Sequence, residues 1–156
     1  MKFYLTLLMS LCLVPELHAR IKQFWSYDKL TDKATLIVIA TPTEVAETAE
    51  LAALPDIATV HRDGTKEAVM GKGVETRFDV LTVLKEEPKP KTSVLHHFRL
   101  AKLEPMFNGP LLVAFEPKEK KRFLMFLQRD ADGRYVAVSG QTDPKDAIKE
   151  IVGTYP

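Results

Sequence analysis

The chain mixes short runs that are apolar throughout with runs in which apolar and polar residues take turns. Leu36-Ile37-Val38-Ile39-Ala40 has no polar member and is largely β-branched, which predicts a strand covered on both faces and central in its sheet. Phe123 to Leu127 reads the same way, and Leu111 to Phe115 is a third apolar run. Val74 to Lys85 is different. Val74, Thr76, Phe78 and Val80 fall on one face, opposite Glu75, Arg77 and Asp79, until Leu81 and Val83 turn the polar face apolar. That switch predicts a long strand that bends or carries a bulge. Val94, His96, Phe98 and Leu100 form the next alternating strand, and Tyr135 to Val138 is the strand that returns after Phe123 to Leu127.

Turn chemistry separates these runs. Asp63-Gly64 lies between Ile57–His61 and Lys66–Met70 as a hairpin signal, and Gly71-Lys72-Gly73 punctuates the chain after it. Glu86 to Lys91 is a polar turn with two prolines, Asn108-Gly109-Pro110 a second turn, and Asp130-Ala131-Asp132-Gly133 a hairpin turn. Ser26 to Ala34 predicts a short helix with Ser26 as N-cap and Asp28 at the positive end of the dipole. Thr142-Asp143-Pro144 predicts the cap of a closing helix from Lys145 to about Val152. Ala46 to Leu54 has helix-forming composition and stops at Pro55, yet reads equally as a loop. Five or six strands with short hairpins and a helix at each end predict a mainly β domain, a small closed or partly closed barrel of the oligonucleotide/oligosaccharide-binding (OB) type. A β-sandwich is the alternative.

The first residues belong to another kind of pattern. Lys2 precedes a twelve-residue apolar run, Phe3 to Val14, which is too short to span a bilayer core of roughly 30 Å. Pro15 breaks the run, and Leu17-His18-Ala19 ends on a small residue. Residues 1–19 are therefore expected to be a signal peptide cleaved after Ala19, leaving one domain over 20–156 in the periplasm or outside the cell. Cys12, the single cysteine of the chain, leaves with the leader, so the exported domain relies on its core rather than on disulfides. Of 22 basic and 21 acidic residues the leader carries Lys2 and Glu16. A near-neutral domain lacks the clustered positive charge that nucleic acid requires. No second apolar run reaches membrane length.

Candidate chemistry is sparse. His96 and His97 are neighbours in a strand and point to opposite faces, so both cannot ligate one ion. His96 shares a face with Val94 and Phe98 and is expected to be partly buried and hydrogen-bonded. Asp130 to Gly133 opens like a calcium loop, but Arg134-Tyr135-Val136 follows with no ligand in step, so a plain turn is expected. Ser139-Gly140-Gln141 lacks the Gly-x-Ser-x-Gly elbow of a hydrolase. No catalytic, cofactor or metal residue is assigned. Two stretches are possible contact surfaces. Lys118, Lys120, Lys121 and Arg122 either touch an acidic partner or lipid headgroups or simply keep the surface solvated. Phe24 and Trp25 either pack on the barrel or anchor a partner.

The succession Ser26 to Ala40, Thr76 to Lys85 and Phe123 to Arg129 resembles secreted bacterial domains similar to netrin-like modules and tissue inhibitors of metalloproteinases, which are OB barrels. The resemblance implies a binding module, and for the inhibitors a protease-blocking one. Those inhibitors place an N-terminal cysteine on the target's zinc. The expected terminus here is Arg20-Ile21-Lys22, so that mechanism does not carry over and no functional residue transfers. The expected role is a non-enzymatic binding module of the cell envelope, contacting a protein or glycan. A structural envelope subunit, or a hydrolase working through His96 or His97, is the alternative.

Overall fold

A computed structural model describes residues 22–85, 89–102 and 108–153. The leader, its cleavage site and Glu86 to Pro88 of the expected polar turn lie outside the described residues. Helix α1 (Tyr27–Lys33) starts where expected, with Ser26 Oγ accepting the Lys29 N–H at 3.3 Å. Its Leu30 is buried against the core, and Thr35 N–H donates to Leu127 O to hand the chain into the sheet.

Six strands follow: β1 (Leu36–Val60), β2 (Lys66–Lys85), β3 (Thr92–Leu100), β4 (Phe123–Arg129), β5 (Tyr135–Ala137) and β6 (Ile148–Glu150). Leu36 to Ala40 is hydrogen-bonded on both edges, to β2 and to β4, and its apolar side chains fill both faces, as its composition predicts. β2 pairs antiparallel with β3, β3 meets β5 in parallel at Leu95 and Tyr135, and β5 returns to β4. Hydrogen bonding thus runs in a ring, β1-β2-β3-β5-β4-β1, with β6 added to β4. The fold is mainly β, as expected. Its main core holds Phe78, Leu95, Met125 and Leu127, none of them exposed. Phe115 meets Phe78, Phe123 and His97 edge-to-face, with centroids 5.0, 5.1 and 5.3 Å away.

The polarity switch in β2 has the expected cause. Thr82 and Val80 pair with Ile39 and Ala40, and Val83 and Lys85 with Val38 and Ile37, so Leu81 and Leu84 are left over as bulged residues facing solvent.

Two expectations are corrected, and one apolar run finds its place. Ala46 to Leu54 is neither helix nor loop but continues β1, because β2 lies alongside and pairs with it at Ala46 and Glu47 and again at Leu51 to Ala53. The closing helix is absent. Pro144–Asp146 makes one 3₁₀ turn, and Ile148–Glu150 is β6, paired with Phe123–Met125. The open edge of β4 offers ladder bonds to the backbone, and burying Ala147 and Ile148 outweighs helix propensity there. Leu111 to Phe115 joins no ladder, and its role is to insert Val113 and Phe115 into the core.

Candidate functional site

Beyond Pro42, β1 leaves the ring and continues with β2 as a two-stranded arm, closed by a turn with Gly64 at φ 83°. The arm is irregular. Three residues, Thr48 to Glu50, sit opposite the single residue Gly73, and four, Leu54 to Ile57, sit opposite Val69. These wide bulges swing β1 over the outer face of β2 and β3. Glycine is required beneath: a Cβ on Gly71 would lie 2.8 Å from Leu54 Cδ2, and one on Gly73 would collide with Thr48 Oγ1 and stand 2.9 Å from Glu50 Cβ. Leu54, Val69 and Phe98 form a small second core there, separate from the main one.

At the edge of this second core three elements converge. His96 comes from β3, Glu50 from the first β1 bulge, and Arg134 from the end of the β4–β5 turn. Arg134 Nη1 donates to Glu50 Oε2 at 2.9 Å, its Nε to Asp130 Oδ2 at 3.0 Å, and its Nη2 to Asp132 Oδ2 at 3.1 Å. Asp130 Oδ1 also accepts the Asp132 and Arg134 N–H groups. The carboxylates of the Asp130–Gly133 turn are thus engaged by the Arg134 guanidinium. Burial pushes the Asp130 carboxyl up, but the hydrogen bonds and charge of Arg134 together hold it below the usual range.

His96 is only 1% exposed. Its Nε2 lies 3.3 Å from Glu50 Oε2 but off the line of a hydrogen bond, and both ring nitrogens are without a hydrogen-bond partner. The expectation of a partly buried, hydrogen-bonded ring is thus corrected, because the face it shares with Phe98 is sealed by the arm. Burial and the Arg134 charge lower its pKa, opposed by Glu50, Asp130 and Glu75. Its backbone carbonyl accepts from Gln141 Nε2 at 3.2 Å. His97 points the other way, as strand geometry requires, and its Nε2 meets Thr76 Oγ1 at 2.9 Å inside the main core. Burial, then the neighbouring His96, lowers its pKa to about 4. With Thr76 and His97 both buried, this hydroxyl–imidazole pair has no opening for a substrate.

The residues singled out in the sequence lie elsewhere. Trp25 packs against the main core with Lys29 Nζ 4.6 Å from its ring centroid, which is the packing role. Phe24 beside it is 84% exposed. Lys118 in the 3₁₀ turn Pro117–Glu119, and Lys120, Lys121 and Arg122 between that turn and β4, are exposed. Hydrogen bonding to Glu119 raises the Lys121 pKa, and Glu150 lies 3.4 Å away. An open crevice of about 730 Å³ beside this run has Val113, Phe123 and Ile148 on its floor and lysines and glutamates on its rim. Ser139 Oγ donates to Asp143 O at 2.7 Å, a loop brace rather than a nucleophile. Among the described residues no three His, Cys, Asp or Glu side chains could hold a metal ion, and no helix is long and apolar enough to cross a membrane. Sequence reasoning missed Glu50, Arg134 and Gln141. Arg134 lies 84 residues from its partner Glu50, and only the register of the bulged arm joins them. No protein-family model, curated protein or solved structure matches the chain.

Proposed function

We propose that the chain is an exported, non-enzymatic binding module of OB type, and that a protein partner in the cell envelope docks on the part of the outer face of β2 and β3 that the arm leaves open, at Arg77 and Val94. The ring order, with β3 parallel to β5 and β4 closing on β1, supports the OB reading. In such barrels the strand 2–3 face, flanked by the β1–β2 and β4–β5 connections, takes the ligand. The observation that carries the proposal is that Arg134 of the β4–β5 turn and Glu50 of the arm that leads into the β1–β2 turn meet at His96 on this face. A protein suits the face better than a glycan. Arg77, paired with Glu44, stands exposed opposite a partly exposed Val94 across the β2–β3 ladder, while the large exposed aromatics among the described residues, Phe24 and Tyr27, lie at the N-terminal side. Export rests on the leader, and sequencing the N-terminus of the secreted form should begin at Arg20.

The test immobilises the folded chain against detergent-treated envelope extract, with denatured chain as control. Arg77→Glu with Val94→Asp should reduce capture of the enriched protein by about tenfold or more, as interface hot spots do. Replacing Lys118, Lys120 and Arg122 by Ala should leave capture intact, and the reverse result moves the contact to the basic run. Recovery of the chain alone replaces the binding module by a self-assembling envelope subunit. Capture on a glycan array, with no protein enriched, assigns the face to sugar.

A further inference from the structure

We propose that the bulged half of β1, Thr48 to Ile57, is a strap over β2 and β3 that acid releases, with His96 as the group that takes up the proton. The proposal concerns the chain alone and does not depend on which partner it binds.

Besides its short ladder to β2 at Leu51 to Ala53, the strap is fastened at three points. Glu50 is held by Arg134, Leu54 sits over Gly71 against Phe98, and Pro55 O accepts from Thr142 Oγ1 at 2.6 Å. None of these belongs to the main core, so the strap can lift while the ring stays closed. His96 lies directly beneath, its Cε1 3.4 Å from where a Cβ on Gly73 would be. Phe98 packs on it edge-to-face at 5.1 Å.

A neutral imidazole has one donor and one acceptor, whereas the protonated ring has two donors and a charge. Neither nitrogen has an acceptor aligned with it, so a proton placed there finds no ready hydrogen bond. The groups facing the ring pull in both directions. Glu50 from β1, Asp130 from the turn and Glu75 from β2 favour the cation. Arg134 and the sealed apolar surroundings of Phe98 and Leu54 oppose it, and His97 on the same strand, with its own pKa at about 4, stays neutral in this range. Glu50 cannot serve His96 fully while Arg134 shares the same oxygen. Burial is the largest effect, and it lowers the His96 pKa below that of a hydrated imidazole. The open strap therefore binds the proton more tightly than the closed one. Closure is complete above about pH 6.5 and is lost progressively as the pH falls below it.

Amide hydrogen exchange of the full chain, compared at about pH 7.5 and about pH 5.5 after correction for intrinsic rates, tests this. Strap amides at Leu51 to Ala53, the strap residues paired with β2, should exchange faster at the lower pH, by about fivefold or more beyond any change at Met125 and Phe126 in β4, which report the whole ring. The midpoint of strap opening should coincide with the His96 ring titration followed by NMR. His96→Gln, which cannot charge, should abolish the difference, and if that variant does not fold, the coincidence in the natural chain decides. Equal strap protection at the two pH values overturns the proposal. So does an opening midpoint apart from the His96 titration, or loosening of β4 to the same extent as the strap.

Discussion

The two halves of β1 are one continuous strand in two different situations. Leu36 to Ala40 has ladder partners on both edges and side chains buried on both faces. From Thr43 to Val60 the same strand has β2 alone for a partner, two wide bulges, and anchoring by a small apolar cluster and a few polar contacts. Composition follows the difference. The first half is β-branched and apolar, a sequence that only a covered strand satisfies. The second is rich in Ala and Glu, and its conformation is imposed from outside by glycines on β2 and by Arg134 and Thr142. Backbone hydrogen bonds alone do not make a strand rigid. What covers its faces does.

Three measurements break or sharpen this contrast. The largest effect should come from truncating the ring's core. Phe78→Ala should cost about 3–5 kcal/mol in urea unfolding, whereas Leu54→Ala in the arm should cost about 2 kcal/mol and leave the ring's amide protection intact. Comparable loss of β4 protection in both variants would show the two halves to be one cooperative unit.

Acid comes next. His97 has a folded pKa of about 4 against an ordinary value of 6.5. A lowered histidine pKa contributes stability that is present above the unfolded value and lost as the pH falls through the window to the folded one. Unfolding free energy should therefore fall by roughly 3 kcal/mol between about pH 6.5 and about pH 4, with this loss missing in His97→Phe. An unchanged pH profile in that variant would assign the loss to other groups. The smallest effect belongs to Thr142→Val, which removes the bond to Pro55 O. It should cost about 1 kcal/mol and raise exchange in the arm before anywhere else.

Much of the ring was legible in the sequence. The covered strands at Leu36 and Phe123, the Ser26 cap, the Asp63-Gly64 turn and the bulging of β2 all follow from local pattern, because periodicity reports which faces are buried. The opposite facing of His96 and His97 followed from strand geometry alone. The arm was not legible, since Ala46 to Leu54 has a helical composition and is a strand only because β2 lies beside it. β6 was missed for the same reason: Lys145 to Val152 carries no conflict with a helix until the open edge of β4 is considered. The site was missed because its parts, Glu50, His96 and Arg134, come from three distant segments with no motif between them.

The bulges that shape the arm also affect how copies of this chain meet one another. An unpaired strand edge is a template on which another chain can add, and a long straight one invites stacking into fibrils. From Thr43 to Val60 β1 carries such an edge, but it is broken twice by the bulges, Pro55 has no N–H to offer, and its carbonyl is already taken by Thr142. An incoming strand could hold register for only a few residues before the spacing of donors and acceptors slips. The irregularity that carries Glu50 to His96 thus also guards the protein against aggregating along its most exposed edge.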